Sequence, residues 1–290
     1  MDPIDLVALH IFKTVAEEGG ITRAAAKLHR VQSNVTTRVQ QLEARLGAKL
    51  FLRQNRKLIL SPEGKLFLGY ADQLLKLSSE AEAALRDSTP RGMFRIGTME
   101  STAAARLPPI LSRYHAAYPE VRIELMTGTS GALVAKLLNH EIDVAFVAEP
   151  VGTKHVASEP AFDEKLVLIA PTSYAKIKRP KDIAGKTVIA FGNGCTYRRF
   201  LENWLTQAKV VPGRIMEFYS YHAIVACVAA GTGVAIVPRS VLRTVPGGND
   251  VAVYPLPSSV ANARTLLVWR DGQPSAALAA LRKELRRTGR

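Results

Sequence analysis

Apolar side chains in the first 47 residues recur every three or four positions, the spacing of short amphipathic helices. Leu6, Leu9, Phe12, Lys13 and Ala16 fall on one such face, and Gly19-Gly20 stops it. A second helix is predicted from Ile21-Thr22, with Thr22 as its cap, through Ala24, Ala25 and Leu28. A third carries Val31, Val35, Val39, Leu42 and Leu46 at spacings of four, four, three and four before Gly47. Its opposite face is polar: Gln32, Ser33, Thr36, Thr37, Arg38 and Gln41. The rhythm then changes to two short strands, Leu50 to Arg53 and Arg56 to Leu60, around a turn at Gln54-Asn55. Ser61-Pro62 next gives a capping residue and a proline at the first helical position, opening a helix predicted to reach about Asp87 and to close at Thr89-Pro90. Along it Phe67, Tyr70, Leu74, Leu77, Ala81 and Ala84 repeat at three, four, three, four and three. That is a heptad seam, which suits either a pairing helix or one packed on its own domain.

From Gly92 onward short apolar strands alternate with helical stretches. Strands are predicted at Phe94 to Ile96, Val121 to Met126, Val144 to Val147, Leu166 to Ala170, Thr187 to Phe191, Ile215 to Phe218 and Val234 to Val237. Helices are predicted at Ala103 to Tyr118, Leu133 to Asn139, Arg198 to Lys209 and Ile224 to Ala230, and a basic helix closes the chain. Such alternation predicts an α/β domain with mostly parallel sheets, and about 200 residues of it suggests two lobes. Ligands of such folds sit beyond the carboxyl ends of the strands.

Charge sharpens the picture. The 290 residues carry 39 Lys and Arg against 25 acids, a formal +14. Nine of the basic residues (Arg23, Lys27, Arg30, Arg38, Arg45, Lys49, Arg53, Arg56, Lys57) and a single acid, Glu43, fall within residues 21–57, so the positive charge is focused there. Two helices of this size with a polar second helix and a basic hairpin suit either a helix-turn-helix or a small solvated bundle, and the focused charge favours the former as a reader of DNA. Gln32 can address a base edge bidentately, Thr36 and Thr37 a phosphate or a thymine methyl, and Arg38 either.

Other chemistry is weakly signalled. No clustered Cys/His spacing, P-loop or nucleophile elbow is present, Gly-Asn-Gly at 192–194 is too short for a dinucleotide fingerprint, and no metal or cofactor is expected. Cys195 and Cys227 cannot build a disulfide framework. Cys195 stands just ahead of a predicted helix, where the dipole would lower its pKa, and it reads as a packed thiol or a redox sensor. The opening MDPIDLVALH has two acids and no basic run, and the longest uncharged run, Ala223 to Pro238, is shorter than the roughly 20 residues that span a bilayer. A cytoplasmic protein with no membrane partner is expected.

The stretch FKTVAEEGGITRAAAKLHRVQSNVTTRVQQLEARLGAKLFLRQNRKLILSPEG resembles the winged helix-turn-helix signature of the LysR-type transcriptional regulators, and GTSGALVAKLLNHEIDVAFV and VAAGTGVAIVP are similar to that family's effector-domain motifs. The resemblance implies a multidomain chain: a winged helix-turn-helix at 1–60, a linker and dimerisation helix at 61–89, and a two-lobed, periplasmic-binding-protein-like (type 2) effector domain at 90–290. Lobe I would take about 90–169 and 264–290, and lobe II about 170–263. It further implies a homodimer or, more usually, a homotetramer that binds promoter DNA and changes its DNA contacts when a small molecule enters the effector domain, with RNA polymerase as a further candidate partner. By position Gln32, Ser33, Thr36 and Thr37 would face bases. Thr22, Arg30 and Arg38 would lie near the backbone, and Arg53 and Arg56 on the wing. Phe67, Tyr70, Leu74, Leu77 and Ala81 would form the dimer seam. Ser33 stands where the family commonly has proline.

Loops at the strand ends facing the implied hinge carry hydroxyls and glycines ahead of helices, and helix N-termini suit anions. Ser101, Thr102, Thr129, Ser130 and Thr196 are the candidates there. Arg198 could add charge toward a carboxylate or pair with Glu202, and His222 could bond ligand or cap the next helix. The expected effector is a small carboxylate or other anion. A metabolic enzyme, or a ligand-binding protein on the same two-lobed fold, is the competing reading, but such an enzyme needs neither the basic module nor the heptad helix.

Overall fold

The computed structural model of the chain describes residues 4–54, 57–85, 89–272 and 275–287. It divides into two units, Met1–Ser88 and Thr89–Arg290. In the first, α1 (Leu6–Glu18) starts on Asp5, whose side chain accepts from Val7 N at 2.9 Å, and ends at Gly19 with φ +62°. Its buried face is Leu9, Ile11, Phe12 and Val15, whereas Leu6 is exposed and Lys13 and Ala16 are only half-buried, so the core stripe is rotated from the predicted one. α2 (Ile21–Lys27) is capped by Gly20 without a side chain, and Thr22 sits exposed inside the helix rather than capping it. α3 (Gln32–Leu46) ends at Gly47, φ +64°, as its spacing predicts. Val31 does not belong to its core: it is the extended N-cap residue and is 69% exposed. Strands β1 (Phe51–Gln54) and β2 (Lys57–Leu60) pair antiparallel, Phe51 opposite Leu60. Arg56, expected on the basic hairpin, lies outside the described residues.

Helix α4 (Pro62–Leu85) begins where Ser61 Oγ accepts from Gly64 N at 2.8 Å and donates to the Lys49 carbonyl at 2.6 Å. A β-carbon at Gly64 would lie 2.0 Å from the Leu50 carbonyl oxygen, so only glycine admits this approach of helix to hairpin. One face of α4 is consumed within the unit: Ala71 is fully buried, Leu68 and Leu75 pack beside it, and the Phe67 ring meets Phe12 at 5.3 Å. Phe67 is thus a core residue here, while Leu66, Tyr70, Leu74, Leu77 and Ala81 are exposed.

The second unit is built on a mixed seven-stranded sheet of β3 (Gly92–Thr98), β4 (Val121–Thr127), β5 (Val144–Ala148), β6 (Val156–Pro171), β9 (Ala235–Pro238), β10 (Val251–Pro255) and β11 (Asn262–Arg270). A separate parallel pair joins β7 (Thr187–Phe191) to β8 (Arg214–Phe218), with one bridge from Val188 to Val234. β3 runs parallel to β4 and β5, but β11 is antiparallel to both β5 and β6, and β9 and β10 are antiparallel to β6. The expectation of mostly parallel sheets is therefore corrected. Sixteen-residue β6 pairs with β11 as far as Lys165, with β9 from Leu166 and with β10 from Val167, and β11 shifts register between Thr265 and Leu266.

The helix predicted from Ala103 to Tyr118 is two, α5 (Glu100–Ala105) and α6 (Leu107–Ala117). They divide at Arg106 because Pro108 and Pro109 lack the N–H groups a continuous helix would use there, yet fit the first turn of a new one. α7 (Ser130–Leu138), α8 (Thr196–Gln207) and α9 (Tyr221–Ala229) follow, then the single turns α10 (Arg239–Leu242) and α11 (Ser258–Ala261), and α12 (Ala276–Arg286). α12 buries Leu278 and Leu281 against Phe94, Tyr114 and Phe146, with its Glu284 carboxylate 3.2 Å from both Arg113 and Arg287. Among the described residues no helix is long and apolar enough to cross a membrane.

Candidate nucleic-acid interface and interior polar cleft

The start of α3 presents its polar residues outward. Gln32, Ser33, Asn34 and Thr37 are exposed, and Arg30 donates to Asn34 Oδ1 at 3.3 Å. Thr36 is half-buried, its hydroxyl donating back to the Gln32 carbonyl at 2.9 Å. Arg38 leans away toward Asp5, 3.5 Å from its carboxylate. Thr22 on α2 and Arg53 on β1 are exposed. Part of the basic window is consumed internally: Arg23 donates to the Glu18 carbonyl at 2.6 Å, and Lys27 lies 2.7 Å from the Glu18 carboxylate.

One residue of this unit carries a role that helical spacing alone does not reveal. Glu43, 7% exposed, accepts from the backbone N–H of Leu50 at 2.9 Å and of Phe51 at 3.2 Å, while its other oxygen meets Lys49 Nζ at 2.8 Å. Burial pushes its carboxyl up, but Lys49 and the two amides together outweigh that and hold it below the usual range. The signal in the sequence was its isolation, the single acid in a basic window. It ties the last turn of α3 to the first residues of the hairpin.

The expected hydroxyl residues of the second unit lie inside or half-buried, and none of them is among the residues lining the small cavity beside Cys195 and Tyr197. Ser101, Thr102 and Thr196 are buried, and Thr129 and Ser130 half-buried. Thr129 caps α7 by accepting from Ala132 N at 3.4 Å, and Ser130 Oγ accepts from Ala148 N at 3.0 Å. Gly194, φ +91°, packs so near Thr129 that a β-carbon would lie 3.3 Å from its hydroxyl. The Ser101 hydroxyl lies beside those of Tyr197 and Tyr221, and Thr265 lies beside Tyr197. Burial pushes both phenols far up. A small cavity of about 10 Å³ is lined by Phe191, Cys195, Tyr197, Arg198 and Tyr221 with apolar Leu201 and Ile236. Tyr197, Tyr221, Thr265 and Glu100 are absent from the expected set: Tyr221 and Thr265 come from other parts of the chain, while Glu100 and Tyr197, next to expected Ser101 and Thr196, fall outside the pattern of small hydroxyls ahead of helices.

Of the two readings of Arg198, pairing with Glu202 is the one present. Arg198 is held by Glu202 at 2.6 Å, by Glu217, and by the Phe191 carbonyl at 3.1 Å, so its positive charge is already neutralised; Arg199 is exposed. Glu100 brings the opposite sign. Its Oε1 accepts from Tyr221 N at 3.4 Å, and burial pushes its carboxyl up against the opposing pull of that amide and of His222. His222 is exposed in the first turn of α9, whose N-cap is Ser220, so it does not cap that helix. The Cys195 thiol is likewise corrected: burial pushes it up, and the amides of Tyr197 and Arg198 do not compensate.

A family model described as "Bacterial regulatory helix-turn-helix protein, lysR family" matches residues 6–65, and one described as "LysR substrate binding domain" matches residues 87–290. The chain is 40% identical over 272 residues to the uncharacterized HTH-type transcriptional regulator YusT of Bacillus subtilis, covering 93% of this chain and 91% of that one. It is 37% identical to the transcriptional regulator GltR of Bacillus subtilis, covering 83% and 82%. Among solved structures it is similar in fold to a full-length OxyR variant from Pseudomonas aeruginosa (TM-score 0.72, 23% identity, 99% and 96% covered). Full-length CbnR complexed with its target DNA is also similar (TM-score 0.68, 24% identity, 99% and 100% covered).

Proposed function

This chain belongs to the LysR family of transcriptional regulators, DNA-binding proteins and not enzymes, and from that premise we propose that the exposed face of α3 reads promoter bases while the interior polar cleft of the second unit takes a small-molecule effector. The observation that carries the first part is the outward presentation of Gln32, Ser33 and Thr37 on one helix beside exposed Arg53 on the hairpin. Gln32 and Thr37 address base edges; Thr22, Arg30 and Arg53 neutralise phosphates. Arg38, drawn toward Asp5, acts at the edge of the contact. The bare row Leu66, Tyr70, Leu74 and Leu77, with Ala81, pairs α4 with a second copy, and further pairing of dimers makes a tetramer.

The domain reading is 1–60, 61–89 and 90–290, with lobes meeting where β6 changes partners after Lys165 and β11 shifts register after Thr265. Both features support hinge strands running between two lobes. An effector that binds one arrangement of those lobes better than another shifts the regulator between two states of the promoter complex, which also brings RNA polymerase within reach as a partner. The site of action is the cytoplasm, where the promoter is.

The experiment is binding to the DNA upstream of the protein's own gene and the adjacent divergent gene, titrated with salt. Gln32→Ala is expected to relax the preference for that DNA over random duplex by about 1–3 kcal/mol, and Arg53→Ala to weaken all sequences alike and reduce the salt slope by about 1. Equal binding to all DNA, unaffected by either substitution, overturns the assignment of these residues.

A further inference from the structure

Among the described residues three acids are buried: Glu43, Glu164 and Glu284. Glu43 braces the hairpin, and Glu284 joins α12 to Arg113 of α6. Glu164 differs from both, because its partners come from distant parts of the second unit. Its Oε1 accepts from Arg106 Nε at 2.7 Å, and its Oε2 accepts from Ser240 Oγ at 2.8 Å. Arg106 stands at the break between α5 and α6, donates again to the Asp163 carbonyl at 3.1 Å, and lies 5.7 Å from the Phe162 ring centroid. Ser240 belongs to the short helix α10. Glu164 itself sits on β6 beside Lys165, the last residue paired with β11 before β9 and β10 take over.

The bridge falls where the two lobes would touch. α5 follows β3 of the first lobe, yet Met99, its N-cap, shares a core with Leu166, Val188 and Val234. Ala105 at its end packs against the core of Ile169, Tyr221 and Val241. Glu100 reaches the same way, its Oε1 accepting from Tyr221 N at 3.4 Å. A buried ion pair is a poor source of net stability, since apolar residues of the same volume serve as well or better. It is a sensitive fastener instead. Parting Ser240 from Glu164 takes a donor from a carboxylate whose side chain is 3% exposed, and that cost falls on any arrangement in which α5 and α10 stand apart.

Resting on the two-lobe reading above, we infer that Glu164 is a positioning residue of the effector response: through Arg106 on one side and Ser240 on the other it holds the lobes in the arrangement described. Any effector that favours a different arrangement has to part this bridge. The movement is taken up at Arg106-Leu107, where Pro108 and Pro109 already divide α5 from α6. Glu164 acts through its two partners and needs no contact with the effector.

The test is amide hydrogen exchange in the full chain, read peptide by peptide without ligand, for wild type, Ser240→Ala and Glu164→Gln. Ser240→Ala is the gentler change, because it removes one hydroxyl and leaves Glu164 its Arg106 partner, so it keeps the test open should Glu164→Gln fold poorly. The expected result for Ser240→Ala is exchange about tenfold faster in α5 and α9, where the lobes meet, with α6, α12 and the β7–β8 pair unchanged. Glu164→Gln, which weakens both contacts by removing the charge, gives the same pattern. Acceleration confined to α10 means that Ser240 holds only its own turn, which overturns the bridge and leaves the lobes standing. Acceleration spread evenly over α6, α12 and β7–β8 overturns the two-lobe reading and the bridge with it. Exchange unchanged in Ser240→Ala shows that the contact holds nothing, and overturns the proposal.

Discussion

Removing the Glu43 carboxylate should unfasten the hairpin from α3, and the cost can be apportioned from its contacts. Glu43→Ala strands the N–H of Leu50, which is 1% exposed, and that of Phe51, which is half-buried. A stranded buried donor costs about 1–3 kcal/mol, and discounting Phe51 for its access to water gives about 2–4 kcal/mol in all. Lys49 adds little, since its side chain is 74% exposed and an exposed pair contributes roughly 0–1 kcal/mol. Glu43→Gln keeps an acceptor for the amides and loses only charge, about 1 kcal/mol. The assay is amide hydrogen exchange at Leu50 and Phe51 in the full chain, where Glu43→Ala should accelerate exchange by roughly thirtyfold or more, alongside promoter affinity, which should fall because Arg53 follows on the same strand. The pH dependence has a definite sign. Glu43 is held below its ordinary 4.5 in the folded chain, so its contribution is whole above that pH and is lost as pH falls through the lowered folded value. If Glu43→Ala leaves exchange at both amides unchanged, or if Lys49→Ala has an equal effect, the brace is not what holds the hairpin.

Three further outcomes are expected. Val31→Ser supplies the side-chain cap that α3 lacks and should raise the stability of the first unit by about 0.5–1.5 kcal/mol, measured by denaturant unfolding; an equal loss would mean Val31 packs in solution. Gly64→Ala drives a β-carbon into the Leu50 carbonyl and should destabilise the same unit by about 3 kcal/mol, and a neutral result would contradict the close approach of α4 to the hairpin. Native Cys195 should react with iodoacetamide at neutral pH more slowly than a free thiol and recover full reactivity on denaturation, whereas fast native alkylation would contradict the burial that pushes its thiol up.

The first unit was largely legible because its signals are local: glycines after α1 and α3, Ser61-Pro62 before α4, and apolar side chains at helical spacing. The errors there come from spacing that continues past a real boundary. Val31 fits the α3 period yet stands outside the helix, and Thr22 is a good capping residue placed two positions late. In the second unit β10, β11 and the first ten residues of β6 escaped notice. β10 is short and ends in proline, and the early part of β6 alternates exposed Ser158, Pro160 and Asp163 with half-buried Glu159 and Ala161 and buried Phe162, a pattern weaker than a continuous apolar run. The cleft was half visible. Ser101, Thr102 and Thr196 were chosen as residues ahead of helices, yet Ser101 and Thr102 lie inside α5, and the approach of Thr265 to Tyr197 spans 68 positions, which no local window contains. Ser33, where the family commonly has proline, leaves the start of α3 at Gln32 undisturbed.

Strand β6 belongs to two sets of neighbours at once, β11 along its first part and β9 and β10 along its second. Neither part can fray without pulling its own backbone out of register in the other, so the two halves of the 89–290 unit are bound into a single cooperative transition. Heat should therefore melt that unit in one step, and a molecule held at any point in its cleft should lift the midpoint of the whole rather than of the half it touches.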